Sequence, residues 1–288
     1  MTETVKKQVA KQEKGTDVAT LSGLLKAGPS LSKRDAEDYQ IPYFNILSKG
    51  APQLEEDDGK YIEGAKLGQI FNTVTNRVYD SITVLPVYYR RRFVEWAERG
   101  EGSGAPVNIY TPEQFQKFQM EGKVVRGDDN KERFVGKSDT YIENTAEHYV
   151  IVLEEGGSWS KAIIKMKSTQ LKKSRTWNSL MSNQRRVEGD EIYQPKDFAR
   201  AYTLSTVKEK NSKGSWHGWV IIENKWIDEL GLKSVQTIIE DATQFEKSIH
   251  SGDIEITPTQ DDAKSSPQGD SSQNGDDCLL YTSPSPRD

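Results

Sequence analysis

Cysteine is all but missing from this chain of 288 residues: the single one, Cys278, lies in the last eleven. That stretch, Cys278-Leu279-Leu280-Tyr281-Thr282-Ser283-Pro284-Ser285-Pro286-Arg287-Asp288, reads as the in-frame translation of a transposase-tagmentation sequencing adapter rather than as part of the fold. The rest of the chain then has no thiol, which excludes a disulfide framework, a thiolate metal site and a cysteine nucleophile, and fits a reducing compartment. Histidine is nearly as scarce. His148, His217 and His250 are scattered without metal-ligand spacing, so neither a metal nor a cofactor is expected. No apolar run approaches the ~18 residues of a membrane span, and Met1–Lys14 is polar and lysine-rich, without the apolar core of a signal peptide. A soluble, cytoplasmic protein with no membrane partner is the expectation.

Enzyme signatures are thin as well. No GxxxxGK[ST] phosphate loop and no GxSxG string is present, and Gly100–Gly104 runs into Ala-Pro rather than a lysine-bearing helix. Glu223-Asn224-Lys225 has the Glu-x-Lys spacing of some metal-dependent nucleases, with Asp190 or Glu191 as partners. A lone tripeptide of this kind is common by chance. The chain is expected not to be an enzyme.

The most telling absence is of acid. From Gly156 to Val187 there is no Asp or Glu, while Lys161, Lys165, Lys167, Lys172, Lys173, Arg175, Arg185 and Arg186 all fall there, with Trp159 and Trp177 among them. A surface made from this stretch holds a positive field with aromatic faces nearby, which suits a polyanion whose bases can stack. The bias then reverses. From Ser251 to Asp277, seven acids face one base, Lys264. The net charge of −5 hides this arrangement: residues 1–250 hold 37 bases and 36 acids, so the tail accounts for the acidity.

Residues 1–37 read as a mobile arm, 38–250 as a single nucleic-acid-binding domain, and 251–277 as a disordered acidic tail. Order begins at Tyr39–Leu47. Residues 61–96 have a β pattern, and Pro86 inside the strong strand Ser81–Tyr89 marks an edge or a bulge, because proline cannot donate to the ladder. Thr111-Pro112-Glu113-Gln114 is a helix start with a capping box. His148–Glu154 with Trp159–Met166, and Ala201–Lys208 with Trp216–Glu223, read as hairpins. Helices are expected at 112–121, 168–186 and 234–249, the last with the apolar stripe Val235, Ile238, Ile239, Ala242, Phe245, Ile249. The fold class is α+β and β-rich: an OB-like barrel, or an antiparallel sheet with flanking helices.

Two patches are candidates for DNA contact. In Tyr88–Trp96, strand alternation puts Tyr88, Arg90, Arg92 and Trp96 on one face and Tyr89 and Arg91 on the other, so each face mixes cations with rings. Arginine pairs a phosphate in bidentate fashion and stacks on bases. The competing reading is that the rings are core and the arginines are paired with acids. In the second patch, Lys165 and Lys167 lead from a strand into a helix carrying Lys172, Lys173, Arg175 and Trp177, followed by Arg185 and Arg186. Free N–H groups at the helix start add to the lysines there. The competing reading is a solvated helix face, although such a face usually mixes charge signs.

The stretches Ile41–Leu47, Glu63-Gly64-Ala65 with Phe71–Thr75, Leu85–Trp96, Ser168–Ser182 and Trp216–Val220 resemble a family of tailed-phage DNA-metabolism proteins, in places described as single-stranded DNA-binding. The resemblance implies a replication or recombination accessory protein that coats exposed strands in the host cytoplasm. The acidic tail is similar to those of single-strand binders, which recruit replication and recombination enzymes and compete with DNA for the basic groove. The expected function is therefore sequence-tolerant binding of single-stranded DNA, with Tyr88, Tyr89, Trp96 or Trp177 stacking bases at roughly 1–3 kcal/mol each. About five engaged phosphates imply a log–log salt slope of about −3.5. The alternatives are a non-enzymatic interaction or virion-associated protein, and a strand-annealing recombinase or nuclease.

Overall fold

The computed structural model describes residues 39–98, 101, 103–212, 214–254 and 257–258. The arm expected over 1–37, most of the acidic tail and the adapter-like end lie outside the described residues. The described residues from Gln40 onward form one compact unit.

Its centre is an eight-stranded antiparallel sheet. Two long strands, β4 (Ser81–Ala97) and β8 (Thr140–Leu153), pair from Thr83 opposite Leu153 to Ala97 opposite Thr140. The ladder slips once, between Pro86 and Tyr88, where Val87 has no partner. Pro86 thus sits at a bulge in a central strand, as its missing N–H requires. On one side β4 pairs β12 (Arg200–Asn211), which pairs β13 (Gly214–Trp226); on the other, β8 pairs β9 (Trp159–Lys167). Both expected hairpins are present and are longer than the sequence pattern showed.

Alternation divides the sheet between two cores. Ile82, Val84, Val150, Val152, Ile164, Met166, Tyr202 and Leu204 face Trp177 and Met181 of helix α2 (Leu171–Ser182). They also face Phe44, Ile46 and Ile70 from a small sheet of β1 (Phe44–Ile46), β2 (Ile70–Asn72) and β3 (Val78–Tyr79). On the opposite face Leu85, Val87, Tyr149, Ile151 and Ile163 pack against Ile238, Ala242, Phe245 and Ile249 of α3 (Val235–His250), the apolar stripe read from sequence. Burying one such side chain contributes about 1.5–3 kcal/mol. Ile254, just past α3, packs against this second core.

The main sheet curls into a half-barrel. Tyr43, just before β1, bridges Ile163 of β9, and the Ile163 N–H donates to the Pro42 carbonyl at 2.9 Å. Across the curl the Thr206 hydroxyl of β12 donates to the Gly68 carbonyl at 2.5 Å. The small sheet therefore reaches from β9 to β12 and covers the hollow. The architecture is α+β, β-rich and OB-like.

Beyond the two cores the β4–β8 ribbon continues into an outer lobe of β5 (Asn108–Tyr110), α1 (Pro112–Met120), β6 (Val124–Arg126) and β7 (Glu132–Phe134). Thr111 caps α1: its Oγ1 accepts from the Gln114 N–H, and the Gln114 side chain accepts from the Thr111 N–H. Phe93 stacks on Phe115 at 3.9 Å to form the lobe's own core with Ile142. Beside it Glu95 is fully buried and accepts from Tyr110 (2.7 Å), Asn108, Thr140 and Lys137. Burial pushes its pKa up, but these four donors outweigh it and hold the carboxyl below its ordinary range.

Two local expectations are corrected. Residues 61–69 are turns and loop rather than strand. The helix expected over 168–186 spans Leu171–Ser182, because Ser168 turns the chain at φ 50° into a single 3₁₀ turn, Ser168–Gln170. Arg186 instead opens β10 (Arg186–Glu188), paired with β11 (Glu191–Tyr193) in a hairpin the sequence reading missed.

Candidate nucleic-acid interface

The basic strand segment divides across the sheet as alternation requires. Tyr88, Arg90 and Arg92 point to the α3 side. There Glu147 of β8 takes both arginines, Arg92 at 2.5 Å and Arg90 at 3.3 Å, and accepts from the Tyr149 hydroxyl at 3.2 Å. Glu147 is fully buried, and Arg92 nearly so. Tyr88 packs edge-on against Tyr149. From β9, Lys165 lies 3.7 Å from the centre of the Tyr43 ring, and Lys167 pairs with Glu143 at 3.1 Å. The competing reading holds for this face: its cations are folded into an inward network. A buried carboxylate between two arginines is costly to disturb and offers little to a mobile ligand.

Tyr89 and Arg91 point to the α2 side and remain exposed. Arg91 donates to Asn144 at 2.9 Å and lies over Phe93, with no carboxylate partner among the described residues. The Tyr89 ring is 36% exposed and leans on the His148 imidazole at 5.0 Å. His148 in turn stacks on Trp177 at 4.4 Å and shares a hydrogen bond of 2.8 Å with the Ser174 hydroxyl. Burial pushes the His148 pKa down to about 3, so the ring is neutral. Three rings thus run from solvent inward to α2.

Helix α2 lays Ser174, Trp177 and Met181 against the sheet, spaced three and four apart as one helical face requires. The same spacing turns Lys172 and Arg175 outward. Lys173 pairs with Glu209 of β12 at 2.8 Å. Arg185, just past the helix, is exposed and donates to the carbonyls of Ser182 and Gln184. Arg186 pairs with Asp228 and lies over the Trp226 ring. Lys172, Arg175 and Arg185 therefore have no carboxylate partner among the described residues.

Two of the expected stacking rings are corrected by burial. Trp177 is 0% exposed and Trp96 is 3% exposed, and neither offers a face to a base in this fold. Trp177 is a hydrophobic anchor against Tyr202 and His148. The fourteen candidates do not make one continuous track. Arg90, Arg92, Lys165 and Lys167 belong to the inward network, and Lys173 and Arg186 to ion pairs. Tyr89, Arg91, Lys172, Arg175 and Arg185 remain outward. Sequence reasoning missed the acids that take the cations, Glu147, Glu143, Glu209 and Asp228. All four lie outside the acid-free stretch, on elements that only the fold brings beside it.

Comparison with curated proteins and with solved structures gives no match to the chain. The curled sheet, its covering small sheet and both flanking helices fall within residues 13–255, which match a family model described as Pam3 phage gp34-like protein. With that match covering most of its length, the chain belongs to this phage protein family.

Proposed function

We propose that the α2 side of the sheet binds single-stranded DNA without sequence preference. One observation carries the reading: Lys172, Arg175, Arg185 and Arg91 are outward cations with no carboxylate partner among the described residues, and an exposed ring, Tyr89, shares their side of the sheet. Cations hold phosphates and every base has a π-face to lay on tyrosine. The contact is smaller than the sequence pattern implied. Four cations correspond to a salt slope of about −2.8 for a single strand.

The test is titration of the full chain with labelled oligo-dT and with matched duplex at two salt concentrations. Preference for the single strand, with a slope near that value, supports the reading. Equal binding of duplex and of heparin at matched charge overturns it. That second result favours contact with an acidic protein surface, a reading that the exposed cross-strand pair Val187 and Ile192 also supports.

A further inference from the structure

A cleft of about 430 Å³ opens between the loop before β2 and the β12–β13 hairpin. Its geometry depends on Gly68. The residue sits at φ +90°, and an added Cβ would lie 2.5 Å from Cδ2 of His217, so only glycine lets the imidazole lie against the loop backbone. The hydrogen bond from Thr206 to the Gly68 carbonyl latches the same loop to β12. Next to it, the Lys66 N–H donates to Gln69 Oε1 at 2.8 Å, and Gln69 Nε2 donates to Asp80 at 2.9 Å.

Asp80, the one acid of the lining among the described residues, is thus held by an amide. Lys66 and Lys208, both exposed, have no carboxylate partner among the described residues. Leu67 and Val207 form apolar walls, 49% and 44% exposed. Two ammonium groups and an imidazole beside apolar walls match a phosphate carried on a sugar and base.

We propose that this cleft binds the phosphate monoester of a nucleotide, either free or at the 5′ end of a DNA strand. Lys66 and Lys208 take the charge, His217 donates from its ring, and Leu67 and Val207 cover the attached sugar or base. The inference uses none of the residues of the α2 reading. Burial and the charge of Lys208 hold the His217 pKa below its ordinary value, and a phosphate between them reverses the second effect.

The test is NMR of the ¹⁵N-labelled full chain, following the His217 ring and the Gly68 amide. With three histidines in the chain, His217→Gln identifies the signal. The probes are inorganic phosphate, thymidine, thymidine 5′-monophosphate, and oligo-dT with a 5′-phosphate or a 5′-hydroxyl. Saturable shifts are expected with the monophosphate and not with thymidine, weakened at least about tenfold in Lys66→Gln/Lys208→Gln, two exposed changes that leave the core intact. A response to the 5′-phosphorylated but not the 5′-hydroxyl strand assigns a strand end; a response to the mononucleotide alone assigns a free ligand. Silence up to about 10 mM of every phosphate, or equal shifts in the double variant, overturns the proposal. The readout sits at His217, so its failure leaves the α2 reading standing, and failure of oligo-dT at Tyr89 leaves this one standing.

Discussion

Glu209 takes Lys173 out of the basic helix: the ammonium lies 2.8 Å from its carboxylate, while Lys172, one residue earlier, faces solvent. Glu209 also accepts from the Trp216 indole at 2.9 Å. Glu209→Gln keeps an acceptor for the indole and frees one cation. Single-strand affinity is expected to rise a few-fold at low salt, with the salt slope steeper by about 0.7. Stability should change little, since a partly exposed pair contributes about 0–1 kcal/mol. Oligo-dT titration at several salt concentrations measures the slope, and an unchanged slope removes Lys173's neighbours from the interface.

Tyr89 and Trp177 should separate cleanly on substitution. Tyr89→Ala removes an exposed ring and is expected to weaken oligo-dT binding by about 1–3 kcal/mol with little effect on unfolding. Trp177→Ala empties a fully buried site and should cost about 3–5 kcal/mol of stability. Urea unfolding and DNA titration of both variants check this. An affinity loss in a stable Trp177 variant contradicts the assignment.

The buried His148 makes stability depend on pH. Unfolded histidine titrates near 6.5, whereas burial holds the folded ring down to about 3. A depressed histidine contributes stability that is complete above the unfolded value and is lost as pH falls from there toward the folded one. Between pH 6.5 and 4.5 the loss approaches about 1.4 kcal/mol per pH unit. His217, lowered by burial and by Lys208, acts in the same direction. Unfolding midpoints measured from pH 7 to 5 should fall in the native chain and fall less steeply in His148→Gln. Parallel slopes in the two proteins count against it.

Glu147 is the hinge of the inward network, and Glu147→Gln leaves Arg90 and Arg92 facing a neutral amide. A loss of about 3–5 kcal/mol is expected, because a buried charge is left without its partner. Single-strand affinity of the folded fraction should not change. Chemical unfolding and oligo-dT titration together test both halves of this expectation.

The acidic segment is expected to compete with DNA for the outward cations. Ile254 packs against the second core and Pro258 is buried, so truncation belongs after Pro258. Removing 259–288 is expected to tighten oligo-dT binding at low salt and to have no effect at high salt. Equal affinities at both salts eliminate the competition.

Much of the fold was legible because local signals agreed with it. The Thr111–Gln114 cap, the stripe of α3, the two hairpins and the bulge at Pro86 rest on chemistry confined to a few neighbouring residues. The lobe strands β5 to β7 and the two strands of the β10–β11 hairpin are each three residues long, too short for alternation to register. The candidate surface was legible only as a list. That Lys167 meets Glu143, or Arg186 meets Asp228, depends on sheet register and on a contact 42 residues apart in the chain. Charge counted along a sequence does not reveal which members are neutralised across it.

The unpaired Val87 decides which half of the Tyr88–Arg92 segment the solvent sees. Had the ladder run straight on from Pro86 opposite Val150, Tyr88 would fall opposite His148 and Tyr89 opposite Glu147. The exposed ring would then be interior, and the two arginines on Glu147 would point outward. A single imino acid, unable to supply one amide hydrogen, sorts the five side chains from Tyr88 to Arg92 between the two faces of the sheet.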